Sequence, residues 1–138
     1  MLNLSHKKLE VYFISMHMVK EVYRITALFP SAELYGIVSQ LRRASVSVIS
    51  NLAEGAARKS TKEKRRFYEI SRSSVVEIDT QLEISLMLSF LTKEDIMKLK
   101  EYNESIFRML SAMIKNLGAE FQAETGTPGV QSPLTTNH

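Results

Sequence analysis

Nine basic residues crowd one stretch of this chain: Arg42, Arg43, Arg58, Lys59, Lys62, Lys64, Arg65, Arg66 and Arg72. Only Glu54, Glu63 and Glu69 stand against them, so residues 42–72 carry a local charge of +6. The remainder, with nine basic and twelve acidic residues, carries −3, for a net charge of +3. Clustered guanidinium and ammonium groups attract phosphate through charge and counterion release, with little reading of base edges. These nine are the candidate nucleic-acid-binding residues. Phe67 and Tyr68 lie among them and could stack on bases, although helical spacing assigns Phe67 to the core. The competing reading is a solvated cluster that pairs with the acidic remainder of neighbouring copies.

Other chemistry finds little to work with. There is no cysteine, which excludes disulfides, thiolate metal sites and thiol nucleophiles. His6 precedes the first helix and His138 ends the chain, and neither is read as paired with a carboxylate at metal-ligand spacing; His17, within the first helix, reads as a surface or capping histidine. Gly36 and Gly55 are isolated, so no phosphate-cradling loop exists. A di-iron bundle needs Glu-x-x-His pairs, and the chain has none. The seven methionines fall at helical spacing and read as core filler. Serines are many, but no Ser/His/Asp set can be named. Asn51 and Glu54, one turn apart, could bind a neighbouring helix terminus or form a structural hydrogen-bond network. The expectation is no enzyme, no cofactor, no metal and no small-molecule substrate.

The elements that must position the basic stretch are helical. The chain has 138 residues, 44% apolar and 24% charged, which suits one globular domain. Five glycines and three prolines are too few for an all-β fold. No run approaches the roughly 18 apolar residues of a membrane span. The N-terminus has no apolar leader, so a cytoplasmic location is expected.

The periodicity predicts four helices. The first runs from about Lys8 to Phe29, with Ile14, Met18, Val22, Ile25 and Phe29 inward and Leu9, Phe13, Met16 and Tyr23 widening the stripe; Pro30 ends it. The second runs from about Leu34 to Glu54 over Val38, Leu41, Ser45, Val48, Leu52 and Ala56, with Gly55 as its C-cap. Ser60 and Glu63 form a capping box that opens the third, about Thr61 to Phe90. Its stripe is Phe67, Ser71, Ser74, Val75, Ile78, Leu82, Ser85 and Leu86. Thr92 to Asp95 reads as the N-cap of the fourth, about Lys93 to Leu117, closed by Gly118. The fold class expected is all-α, an antiparallel up-and-down four-helix bundle over residues 1–118, with a disordered tail at 119–138.

Two outer faces suggest a partner. Opposite the core stripe of the second helix lie Gln40, Arg43, Ala44, Ser47, Ser50, Asn51 and Glu54. Small polar residues are poor helix formers, but they let another backbone come close. The outer side of the third helix carries Val76, Ile84 and Met87 beside Glu77. Gln40, Ser47, Ser50, Asn51, Glu54, Glu77, Val76 and Ile84 are the candidate oligomer interface.

The run Gln40-Leu41-Arg42-Arg43-Ala44-Ser45-Val46-Ser47-Val48-Ile49-Ser50-Asn51-Leu52-Ala53-Glu54-Gly55 resembles the signature of the 23S ribosomal RNA intervening-sequence proteins, approximately Q-L-R-R-A-x-x-S-I-x-x-N-I-A-E-G. His6 to Val11, Phe29-Pro30 with Glu33-Leu34-Tyr35-Gly36, and Ser71 to Glu77 resemble flanking segments of that family. Gln40, Arg42, Arg43, Asn51, Glu54, Gly55, Arg72 and Glu77 match its motif positions. Tyr12 stands where tryptophan is usual, and Ser71 and Ser73 replace alanine and glycine. The resemblance implies an antiparallel four-helix bundle assembled as a homopentameric ring. A related protein is the accessory subunit of diversity-generating retroelements, a basic pentamer that binds a reverse transcriptase and nucleic acid. The function expected is therefore a non-enzymatic oligomer that binds nucleic acid, RNA favoured, through its basic patch. The alternative is a protein-interaction scaffold, such as an accessory subunit for a reverse transcriptase or RNA-processing factor.

Overall fold

A computed structural model describes residues 1–4 and 9–125, with side chains placed as far as residue 118. Its elements are α1 (Glu10–Thr26), a 3₁₀ turn (Ser31–Glu33), a π-helical turn (Leu34–Val38), α2 (Ser39–Ala57), α3 (Thr61–Met87) and α4 (Lys93–Thr125). No strand occurs among the described residues. Each helix packs on two others: α1 on α2 and α4, α3 on α2 and α4.

One rule selects the core. Val11, Ser15, Met18, Val22, Ile25 and Phe29 are buried along α1 and just beyond it, in steps of four and three. Val38, Leu41, Ser45, Val48, Leu52 and Gly55 do the same on α2. Tyr68, Ser71, Val75, Ile78, Leu82 and Ser85 continue it on α3, and Ile96, Leu99, Asn103, Ile106 and Leu110 on α4. Alternating steps of three and four hold one narrow seam of a helix toward its neighbours. Beside the seam Ala44, Ser74 and Gln81 are also buried, and Tyr12, Ile14 and Val19 pack half-buried against it. Leu9, Phe13, Met16 and Tyr23, expected to widen the stripe of α1, lie outside, Phe13 with 63% of its surface exposed. The same step from Ser71 lands on Tyr68, so Tyr68 is buried and Phe67 is only half-buried.

The helix ends follow local chemistry. Ser60 Oγ accepts the Glu63 N–H at 3.1 Å and opens α3. Thr92 and Asp95 cap α4 reciprocally: Thr92 N–H donates to Asp95 Oδ2 at 2.9 Å and Asp95 N–H to Thr92 Oγ1 at 3.3 Å. The Thr92 N–H, donating to the carboxylate, holds the Asp95 pKa below the ordinary carboxylate value. α3 stops at Met87, short of Phe90, because Ser89 adopts a left-handed φ of 60°. Phe90 N–H then reaches Ser85 O at 2.9 Å and Ser89 N–H reaches Leu86 O at 3.0 Å, a Schellman closure. α1 ends at Thr26, before Phe29, and Phe29 folds over the end of the core against Phe90, ring centroids 5.7 Å apart.

Both glycine C-caps expected from the sequence are absent. α4 runs through Gly118 to Thr125. One glycine costs a helix about 1 kcal/mol against alanine, and Ala119, Glu120, Gln122, Ala123 and Glu124 are good helix formers, so the helix continues. Residues 126–138, the rest of the expected tail, lie outside the described residues. Gly55 sits inside α2, which ends at Ala57. Its role is steric. A Cβ there would stand 2.7 Å from Tyr68 Cε1 and 3.1 Å from Phe67 Cβ.

Substituting Gly55→Ala should therefore lower the denaturation midpoint. Overpacking costs about 1–3 kcal/mol, more than the roughly 1 kcal/mol of helix propensity gained. In a Tyr68→Ala background the same change should cost clearly less, with only the 3.1 Å approach to Phe67 Cβ remaining. Equal losses in both backgrounds, measured by urea denaturation, would show that Tyr68 is not what excludes the side chain.

Candidate nucleic-acid interface

The turn between α2 and α3 brings the ends of both helices together. Arg58 is extended (φ −76°, ψ 149°) and its N–H donates to Gly55 O at 3.2 Å. Ser60, also extended, starts α3. The basic residues on either side take three different environments.

Three are structural ties. Lys64 Nζ reaches back to the last carbonyls of α2, Ala56 O at 3.0 Å and Gly55 O at 3.4 Å. A cation there satisfies free C=O groups and meets the negative end of the helix. Arg42 Nε donates to Thr26 Oγ1 at 2.9 Å and its guanidinium lies 4.6 Å from the Tyr23 ring centroid, tying α2 to α1. Arg72 Nη1 donates to Ser111 Oγ at 3.1 Å and lies 5.8 Å from the Phe107 ring, tying α3 to α4.

Three have weak partners at the surface. Arg58 pairs with Glu54 Oε2 at 3.0 Å and lies 4.9 Å from the Phe67 ring centroid. Arg66 lies 5.7 Å from the same ring. Arg65 pairs with Glu69 Oε1 at 2.9 Å. All three are exposed, and exposed pairs contribute only about 0–1 kcal/mol, so a phosphate can compete for these cations. The last three, Arg43, Lys59 and Lys62, are exposed and make no side-chain hydrogen bond or ion pair among the described residues.

The cations that remain available gather mainly on the first turns of α3. Lys62, Arg65, Arg66, Glu69, Ile70 and Ser73 border an open depression of about 390 Å³. Phe67 does not offer a stacking face there, because Arg58 and Arg66 both lie against its ring. Tyr68 is buried. The aromatic pair expected beside the basic residues is therefore withdrawn from bases.

The expected oligomer residues divide as well. Ser47 and Asn51 are half-buried within the chain, not on an outer face. Ser47 Oγ lies 2.9 Å from Ser74 Oγ, and Asn51 Nδ2 donates to Ser47 O at 2.9 Å and Ser47 Oγ at 3.0 Å. Ser47 thus meets α3 of the same chain, while Arg43, Ser50 and Glu54 of the same face stay exposed. Gln40 Oε1 and Glu77 Oε1 both accept from Gln81 Nε2, at 3.4 and 3.3 Å. Glu54 holds Arg58, and Ser50 is exposed. Val76 and Ile84 keep 50% and 38% of their surface exposed, with Met87 at 73%.

Among the described residues, no group of three His, Cys, Asp or Glu side chains is placed to hold a metal. His17 is exposed and stacks edge-on with Phe13, ring centroids 4.6 Å apart. His6 and His138 lie outside the described residues. No described helix is long and apolar enough to cross a membrane. One exposed aromatic was not singled out by the sequence as a binding residue. Tyr35, in the π-helical turn, is 93% exposed; the signal that marks it is an aromatic in an interhelical connection with no place on any core stripe.

The division among cations has a thermal consequence. Lys64→Ala should lower the melting temperature by about 4 °C, corresponding to roughly 1 kcal/mol, because the α2 carbonyls lose their donor. Lys62→Ala, close by in sequence and unpaired, should leave it unchanged. Equal melting temperatures for the two variants in differential scanning calorimetry would contradict the assignment.

The model of the family described as 23S rRNA-intervening sequence protein matches residues 7–112. Comparison with curated proteins gives no match.

Proposed function

From the premise that the chain belongs to the 23S rRNA-intervening sequence protein family, we propose that it is a non-enzymatic, homo-oligomeric cytoplasmic protein that binds nucleic acid, RNA in preference. The contact surface is the basic face of α3 with the α2–α3 turn. One observation carries this reading: Lys59, Lys62, Arg65 and Arg66 remain exposed around a single turn and helix start after Arg42, Lys64 and Arg72 have been drawn into packing. Cations left solvated this way contact phosphate without reading sequence.

The same reading takes the four helices as an antiparallel up-and-down bundle. Support comes from cross-helix pairs in which α2 numbers fall as α3 numbers rise: Gly55 with Tyr68, Val48 with Ser71, Ser47 with Ser74, Gln40 with Gln81. It takes the assembly as a homopentameric ring, as the family resemblance implies. The exposed apolar residues of α3, Val76, Ile84 and Met87, are the surface offered to a second copy. A protein-interaction scaffold is the second reading, favoured by Met87 and Leu88, exposed at the end of α3 remote from the basic turn.

Binding to a structured RNA should fall steeply with salt. Replacing Lys62, Arg65 and Arg66 together by Ala should flatten the dependence of log K on log salt by about 2–3, because each phosphate no longer neutralised removes roughly 0.7–0.9 from the slope. Absent or salt-insensitive binding at low ionic strength, in a filter-binding titration, would exclude this surface as the interface.

Self-association is tested separately. Val76→Glu with Ile84→Glu should reduce the assembly to monomers in multi-angle light scattering while retaining the helical circular dichroism spectrum. A wild-type monomer at micromolar concentration would remove the oligomer from the reading.

A further inference from the structure

A second surface carries chemistry that the α3 patch lacks. Between the C-terminal half of α1, the π-helical turn and the start of α2 lies an open groove of about 500 Å³. That volume falls within the roughly 300–1,000 Å³ typical of small-ligand clefts. Its lining residues include Tyr23, Leu34, Tyr35, Arg42, Arg43 and Val46, and among the described residues no carboxylate lines it.

Two features separate this groove from an ordinary apolar surface. Tyr35 is 93% exposed, so its ring packs on almost nothing. It is offered on a turn where the chain departs from helical geometry at Gly36 (φ −106°, ψ −117°). The second feature is the cation pair. Arg42 is fixed by its Nε bond to Thr26 Oγ1 and by its position 4.6 Å from the Tyr23 ring centroid, which leaves its remaining N–H groups unused. Arg43, beside it, is exposed and forms no side-chain hydrogen bond or ion pair among the described residues.

Aromatic faces beside unpaired guanidiniums recognise a planar base joined to a phosphate. We propose that this groove holds an unpaired base of a single-stranded RNA, stacked on Tyr35, with the adjoining phosphate on Arg43. The assignment rests on the RNA-binding reading above and deepens it: the α3 face supplies charge, and the groove supplies preference for unpaired strands. A paired base is already stacked on both faces, so a duplex gains nothing from Tyr35. Arg43 and Arg58 stand fifteen positions apart on or beside α2, about 22 Å along the helix. The groove and the basic turn are thus separate sites.

The test compares a fluorescein-labelled single-stranded RNA of about 12 nucleotides with a duplex of the same length. Tyr35→Ala should weaken single-strand binding about tenfold, leaving duplex binding and the salt slope unchanged. Tyr35→Phe should bind as the wild type, because stacking needs the ring and not the hydroxyl. Photo-crosslinking of RNA carrying 5-iodouracil should map to the peptide containing Tyr35. Unchanged single-strand affinity in Tyr35→Ala, or equal loss for strand and duplex, overturns the proposal. Loss of the oligomer in Tyr35→Ala by light scattering also overturns it and assigns the groove to a second copy. Failure of the wild type to bind either RNA sinks the underlying reading with it, whereas binding that depends on Lys62, Arg65 and Arg66 but not on Tyr35 sinks this proposal alone.

Discussion

The packing of Tyr68 on Gly55 sets the distance between α2 and α3, and most of what the molecule offers at its surface depends on that distance. With no Cβ at residue 55, the tyrosine ring comes within 2.7 Å of where one would stand. Serines continue the close approach up the seam. Ser71 Oγ donates to Val48 O at 2.6 Å, and Ser47 and Ser74 share a hydrogen bond. These hydroxyls are small enough for close packing, and each finds a partner, so burial orphans none of the three. Because the two helices meet so tightly at this end, the link between them needs only Arg58, Lys59 and Ser60. The short turn in turn places the C-terminal carbonyls of α2 within reach of Lys64. The basic turn is therefore tied at both ends, by Arg58 N–H and Lys64 to α2 carbonyls and by Ser60 to the start of α3.

Much of the fold is legible in the sequence because burial follows a simple count. All four helices, both polar N-caps at Ser60 and Thr92, and most core positions follow from helical spacing and capping chemistry. The misreadings share a cause. Treating the apolar stripe as broad drew in Phe13, Met16 and Phe67, whereas strict alternation of three and four excludes them and selects Ser15, Tyr68 and Asn103. Spacing does select the buried serines of α2 and α3, Ser45, Ser71, Ser74 and Ser85, but on α1 and α4 the larger apolar neighbours mask Ser15 and Asn103. The two glycine assignments failed for a related reason. Glycine serves both helix ends and close approaches, and only the position of Tyr68 in space decides which applies at Gly55.

The candidate site was legible as a charge sum but not as a division of labour. Sequence spacing gives Arg42, Lys64 and Arg72 the same weight as Arg43, Lys59 and Lys62. Folding separates them, because a long cationic side chain can bury its stem and place its head on a carbonyl, a hydroxyl or an aromatic face. Arg42, Lys64 and Arg72 each tie one helix to another element. The small-residue face of α2 shows the same limit. Its composition announces a close neighbour, and at Ser47 that neighbour is Ser74 of α3 in the same chain.

This division bears on how the proposed RNA binding would be organised. Once the structural cations are set aside, the basic turn of one chain presents Lys59, Lys62 and Arg66, with Arg58 and Arg65 held only by exposed carboxylates. Neutralising about four phosphates of a single strand corresponds to a salt slope of about −3, which suits weak, non-specific attachment. Such a patch gains strength chiefly by repetition, since linked copies turn later binding events into intramolecular ones. The exposed apolar residues of α3 lie on the same helix as the basic start, so copies joined through Val76 and Ile84 would carry their patches in a fixed geometry. In that arrangement self-association and RNA binding are not separate properties. On the proposed reading, a single weak patch would release RNA at physiological salt, and only the assembled form would hold it.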